Sequence, residues 1–131
     1  MTLFVDASAI VAMIAREPEA GSFAERLGYP DTSHTSPIAL WEAVRAVERV
    51  RGVDVAEARA LVDAFITDGA IRVMPIGAQE GRSALDAHDA YGKGRHPAAL
   101  NMGDCFAYAC AKTNDAILLY KGNDFSQTDL G

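Results

Sequence analysis

Cysteine, histidine and tryptophan are scarce in this chain. Its 131 residues hold two Cys, three His and one Trp. Cys105 and Cys110 stand five apart within one apparent helix, which is neither a disulfide framework nor a zinc spacing, so both are expected to be reduced core residues. Positive charge is also short, with 12 Lys and Arg against 18 Asp and Glu and a net charge of -6. That balance excludes a nucleic-acid binder working by bulk positive charge, and it leaves room for an acidic pocket that recruits cations. No apolar run approaches the roughly 20 residues of a membrane span. The apolar stretch at 3–15 has no Lys or Arg before it and is broken by Asp6, which argues against a signal peptide and for a cytoplasmic protein. Internal repeats and low-complexity segments are missing too. The length suits a single domain over 1–131 with a sizeable core.

What is present is organised around Leu3-Phe4-Val5-Asp6-Ala7-Ser8-Ala9-Ile10. An apolar run enters an aspartate, then small residues, then a second apolar run. This predicts a buried parallel strand, a tight turn and a helix entered directly. Asp6 then sits at the carboxyl end of a central strand, where open α/β sheets place ligands. Its plain alternative role, shared with Ser8, is to cap that helix.

Further along, the first helix is expected to stop near Arg16-Glu17, ahead of Pro18. A second carries Ala20, Phe23, Ala24 and Leu27 to Gly28. Asp31 to Thr35 makes a weak strand. Ser36 and Pro37 then open a helix with a buried stripe of Leu40, Val44, Val47 and Val50, ending at Gly52. Glu42 lies off that stripe. Asp54 to Glu57 resembles a capping box for a helix carrying Ala58, Leu61, Val62 and Phe65, closed by Gly69. Ile71 to Ile76 is a strand. Gln79 to Tyr91 is a helix with Ala84, Leu85, His88 and Tyr91 on one face, and Gly92 to Pro97 is a loop. Asn101 caps the next helix with Asp104 at its third position, Ala116 to Tyr120 is a strand, and Gly122 to Phe125 is a turn. Strands alternating with helix pairs predict an α/β fold, a three-layer α/β/α sandwich with a central parallel sheet of four to five strands.

Several carboxylates fall where such a sheet gathers its ligands. Asp6 and Asp124 follow strands, Asp104 lies in the first turn of a helix, and Glu42 in the second turn of a helix after a strand. Each has a plain role as well: Asp104 complements the helix dipole, Glu42 pairs with Arg45 or Arg49, and Asp124 belongs to a turn. Three or four carboxylates in one pocket cannot all stay ionised without cations. Hard oxygen donors select Mg²⁺ or Mn²⁺, which can activate water for phosphodiester cleavage. Lys93, Arg95 and His96 of the Gly92 to Pro97 loop are candidates to hold RNA phosphates, against the alternative of a solvated loop. His88 is expected at the core edge, and Trp41 and Tyr108 in core or dimer packing rather than stacked on bases.

Val5-Asp6-Ala7-Ser8-Ala9, Pro37 to Ala43, Gly94-Arg95-His96-Pro97, Leu100 to Ala109 and Lys121 to Asp129 together resemble the PIN domain, specifically the VapC ribonuclease toxins of bacterial VapBC toxin–antitoxin pairs. The resemblance spans nearly the whole chain. It implies a Mg²⁺- or Mn²⁺-dependent endoribonuclease that acts on RNA, forms a homodimer and is held inactive by a VapB-like antitoxin. It implies that Asp6, Glu42, Asp104 and Asp124 are the catalytic and metal-binding quartet, with Ser8 and Asn123 in support. Asn123 stands where this subfamily often has an acid, and Thr128-Asp129-Leu130 is all that remains for a last edge strand. Two alternatives stand beside it: a catalytically impaired PIN-type binding protein, and a receiver-like signalling domain. The receiver would need an acidic pair after its first strand and an Asp after its third, where this chain has Asp6 alone and Gly77-Ala78.

Overall fold

The computed structural model describes residues 1–131. Ten elements follow in order: β1 (Thr2–Val5), α1 (Ala7–Ile14), α2 (Ala20–Leu27), β2 (Thr32–Thr35), α3 (Pro37–Arg51), α4 (Val55–Asp68), β3 (Ile71–Val73), α5 (Ala78–Tyr91), α6 (Met102–Thr113) and β4 (Ala116–Leu119). The four strands form one parallel sheet in the order β3-β2-β1-β4. Leu3, Phe4 and Val5 are all buried. Both faces of β1 are therefore covered, as in the expected three-layer sandwich. Fully burying a side chain such as Phe4 or Ile10 contributes about 2–3 kcal/mol. The core they anchor includes Leu100, Leu119 and Phe125.

The topology positions the site. The chain lays β2 and β3 on one side of β1, then returns to place β4 on the other. That reversal opens a crevice at the carboxyl ends of β1 and β4, the place where open α/β sheets bind ligands. It also differs from the 2-1-3-4-5 order of the flavodoxin-like sheets to which receiver domains belong.

Helix starts follow their capping chemistry. Ser36 Oγ accepts from Ala39 N at 3.1 Å with Pro37 at the first position of α3, and Asp54 accepts from Glu57 N at 2.9 Å to open α4. Helix α3 ends on Gly52, whose φ of 64° suits a residue without a Cβ.

Five expectations need correction. Helix α1 ends at Ile14, because Arg16 turns into the left-handed region with φ 55°. Strand β3 stops at Val73 rather than Ile76: Met74 N still donates to Thr35 O at 2.9 Å, but Pro75 has no N–H to continue the ladder. The sheet keeps to the expected four to five strands with four, and Thr128-Asp129-Leu130 lies in turns. Val50 is exposed, and the deeply buried positions of α3 are Ala39, Ala43 and Val47, one step round the helix from the expected stripe. Leu85 and His88 are exposed as well, because α5 turns Ala84 and Ala87 inward. Trp41 is 67% exposed and belongs to no core, whereas Tyr108 is buried as expected. Cys105 and Cys110 are free and buried.

Candidate active site

Asp6, Ser8, Glu42, Asp104 and Asp124 line one cleft of about 370 Å³ at the carboxyl ends of β1 and β4. Each arrives for a local reason. Asp6 ends β1, its N–H still bonded to Leu119 O at 3.0 Å, and caps α1 by accepting from Ser8 N at 3.1 Å. Ser8 Oγ donates to the same carboxylate oxygen at 2.6 Å and accepts from Lys121 N at 3.0 Å. The hydroxyl thus ties β1, α1 and the exit of β4 together, and the capping and site readings of Asp6 hold at once.

Asp104 also plays two parts. Asn101 Oδ1 accepts from Asp104 N at 2.9 Å while Asp104 Oδ2 accepts from Asn101 N at 3.1 Å, a reciprocal capping box. Glu42 reaches the cleft from α3 and lies against the backbone of α6. A Cβ on Gly103 would stand 2.0 Å from Glu42 Oε2, so only glycine admits the carboxylate there.

The electrostatics match a pocket short of positive charge. Burial raises the pKa of Asp6, opposed by its bonds to Ser8 and reinforced by Asp124. Burial, then Asp6 and Asp104, push Glu42 up to about 7. Burial also takes Asp104 up to about 6, with Asp124 and Asp6 adding to it and the Asn101 N–H opposing it. Mutual repulsion of this kind favours either protons or a bound cation.

As placed, no three His, Cys, Asp or Glu side chains close on a common point at ligating distance. The donor set nevertheless fits a hard divalent cation in kind: oxygen donors from carboxylates, with Asp6 only 6% exposed and fixed by the Ser8 hydroxyl.

The loop candidates lie elsewhere. Lys93, Arg95 and His96 do not line the acidic cleft. Arg95 pairs with Asp89 at 3.0 Å on the surface. His96 Nδ1 accepts from Ala98 N at 3.1 Å, and its ring meets Tyr91 edge-on. Asn123 does not support the cleft through its side chain; its carbonyl accepts from Ser126 N and Oγ, and the neighbouring Asp124 supplies the acid. The departure at Asn123 therefore leaves all four expected carboxylates in the cleft.

Three charged residues that line the cleft were not expected there from the sequence: Glu17, Arg49 and Lys121. Lys121 Nζ sits 3.1 Å from Glu17 and 3.5 Å from Glu19. Two signals pointed to the cations. Arg49 stands seven residues after Glu42 and so shares its helix face. Lys121 stands just past the carboxyl end of β4, by the logic that singled out Asp6.

A family model described as the PIN domain matches residues 3–130. A protein of Rhizobium meliloti named as a VapC ribonuclease is 46% identical over 140 residues, covering 98% of this chain and 99% of its own. The chain belongs to the VapC ribonuclease family of PIN domains. Ribonuclease VapC30 of Mycobacterium tuberculosis is 34% identical, covering 98% of this chain and 95% of its own. The crystal structure of Mycobacterium tuberculosis VapC20, described as a Sarcin-Ricin loop cleaving toxin, superposes with a TM-score of 0.75 at 19% identity, over 97% of this chain and 95% of that one. A toxin–antitoxin complex from Klebsiella pneumoniae gives 0.73 at 13% identity, over 98% of this chain and 93% of that one. At these identities the structural matches establish the PIN fold of this VapC-family chain, and the cleft described above is its own.

Proposed function

We propose that the chain is the endoribonuclease toxin of a VapBC-type toxin–antitoxin pair and that its acidic cleft hydrolyses RNA phosphodiester bonds. The observation that carries this is the convergence of Asp6, Glu42, Asp104 and Asp124 on one cleft. Mg²⁺, or Mn²⁺ in its place, is the cofactor these oxygens suit. Bound there it would polarise a water and neutralise charge on the phosphate.

The chain's own residues do the rest. Asp6, locked by Ser8, gives one oxygen a fixed position. Glu42, Asp104 and Asp124 complete the negative cradle, and the raised affinity of Glu42 and Asp104 for protons is what a bound cation reverses. Arg49 lines the cleft with no carboxylate partner; its Nη1 donates to the Arg45 carbonyl at 3.3 Å, and its remaining N–H groups are available to a phosphate oxygen. Lys121 is already engaged by Glu17 and Glu19. Lys93, Arg95 and His96 would meet phosphates farther along the strand.

A VapB-like antitoxin is the proposed partner, and a cation it inserted among these carboxylates would silence the cleft. The family likeness also favours a cytoplasmic homodimer, for which exposed Leu85 and Met102 offer apolar surface. No helix is long and apolar enough to cross a membrane. The test is cleavage of structured RNA by the purified chain with Mg²⁺ or Mn²⁺, lost on EDTA and in D6N. Cleavage undiminished by EDTA would overturn it.

A further inference from the structure

Asp124 reaches the cleft from a strap, residues 122–131, that makes few hydrogen bonds to the rest of the chain. The backbone hydrogen bonds of the strap stay inside it: Ser126 N to Asn123 O, Thr128 N to Phe125 O and Gly131 N to Thr128 O. Its Ser and Thr hydroxyls also bond within it. The strap coils on itself so closely that a Cβ on Gly131 would stand 2.4 Å from Phe125 O. The last bond to the main body precedes it, from Lys121 N to Ser8 Oγ.

Beyond that point, Phe125 is buried against Tyr120 and Leu130 packs on the core. Every hydrogen bond from the strap to the rest of the chain runs through Asp129. Tyr108 Oη donates to Asp129 Oδ1 at 2.5 Å, Tyr91 Oη lies 3.4 Å from the same oxygen, and Lys112 Nζ pairs with Oδ2. Tyr108 and Lys112 follow Asp104 at four and eight residues along α6. All three therefore share one helix face, about 6 Å apart from turn to turn.

We propose that Asp129 is a positioning residue: by gripping Tyr108 and Lys112 on the α6 face that carries Asp104, it sets Asp124 against Asp104 across the cleft. This rests on the functional reading above. An aromatic hydroxyl and an ammonium on one carboxylate hold a coiled strap in one orientation, which apolar contacts at Phe125 and Leu130 alone do not specify. Asp129 touches no reacting atom and acts through Asp124.

The test is a cycle of D129A, D124A and the double variant, with Y108F as a milder cut. Mn²⁺ affinity by electron paramagnetic resonance is read beside kcat and KM on RNA. D129A is expected to weaken Mn²⁺ binding and lower kcat about 10-fold, with KM little changed. Y108F is expected to shift both in the same direction by about fivefold. In the D124A background, D129A is expected to weaken Mn²⁺ binding no further. Hydrogen exchange on the metal-free chain should show lost protection in 122–131 and unchanged protection in α6.

Unaltered exchange in D129A, unaltered Mn²⁺ affinity in both D129A and Y108F, or an equal loss with and without Asp124 would each overturn the proposal. Should wild type fail to cleave RNA with metal, the functional reading falls, while exchange on the metal-free chain still decides the role of Asp129. Should D129A fail to fold, Y108F carries the same comparison.

Discussion

Replacing Asp104 with Asn separates the cost of the cleft from its use. The folded protein holds the Asp104 carboxyl up at about 6 from 3.8, chiefly through burial. Taken in full, that rise equals ~3 kcal/mol of disfavoured charge at neutral pH. Asp104 is only partly buried, so solvent screening reduces it to about 1–2 kcal/mol. Asn keeps an oxygen for the Asn101 N–H and gives up the favourable carboxylate at the helix start, about 0.3–1 kcal/mol. The metal-free variant should therefore be about 0.5–1 kcal/mol more stable, a rise in Tm of roughly 2–5 °C.

The sign fixes the pH window. A carboxyl whose folded pKa is raised contributes its stability below the unfolded value and loses it as pH rises through the folded value. The gain in D104N should thus be full above about pH 7 and vanish near pH 4. Melting both proteins in EDTA at pH 7.5 and pH 4 checks it, alongside the Mn²⁺-induced rise in Tm, which should shrink in the variant. A D104N protein destabilised at pH 7.5 yet still active would refute the reasoning and leave Asp104 as a helix cap alone.

Gly103→Ala puts a Cβ 2.0 Å from Glu42 Oε2; RNA cleavage should fall at least about 10-fold, while Tm holds or rises because Ala is the better helix former. His34 is buried with Nδ1 unpartnered, and burial, aided by Arg72, holds its pKa below the usual value. Its stability is present above 6.5 and lost as pH falls, opposite to the cleft carboxylates, so metal-free H34L should gain more Tm than wild type on going from pH 7.5 to 5. Replacing Lys93 and Arg95 together with Ala should leave Mn²⁺ affinity unchanged and flatten the slope of log K for RNA against log salt by roughly 1–2. An unchanged slope returns that loop to plain solvated surface.

The layer order and most elements were legible because the chain punctuates itself. Ser36-Pro37, Asp54 to Glu57, Asn101 to Asp104 and Gly52 each carry a capping mechanism, and each marks a real helix end. Errors arose where apolar residues do not announce which way they face. Alanines make up much of the buried faces of α3 and α5, so Val50 and Leu85 looked like better core than Ala39 and Ala87. The strand after Ile71 looked longer because Val73-Met74-Pro75-Ile76 is apolar throughout, and only the missing Pro75 N–H ends it.

The cleft was visible through one rule, carboxylates at strand ends and helix starts. That rule brought Asp6, Glu42, Asp104 and Asp124 to the same place. It said nothing of Gly103, whose role depends on a neighbour 61 positions away, nor of Arg49, which needs a helix face drawn in three dimensions. The loop cations were chosen by charge and sequence proximity alone, and the fold carries them outside the acidic cleft.

The most direct measurement is a cleavage assay on end-labelled structured RNA with antitoxin-free protein, comparing wild type, D6N and E42Q in Mn²⁺ and in EDTA. The account predicts endonucleolytic fragments from wild type in Mn²⁺ only, and loss of about 100-fold or more in either variant with the melting temperature preserved or raised. Cleavage by wild type in EDTA, or full activity in D6N, would contradict the claim that this cleft is the catalytic centre.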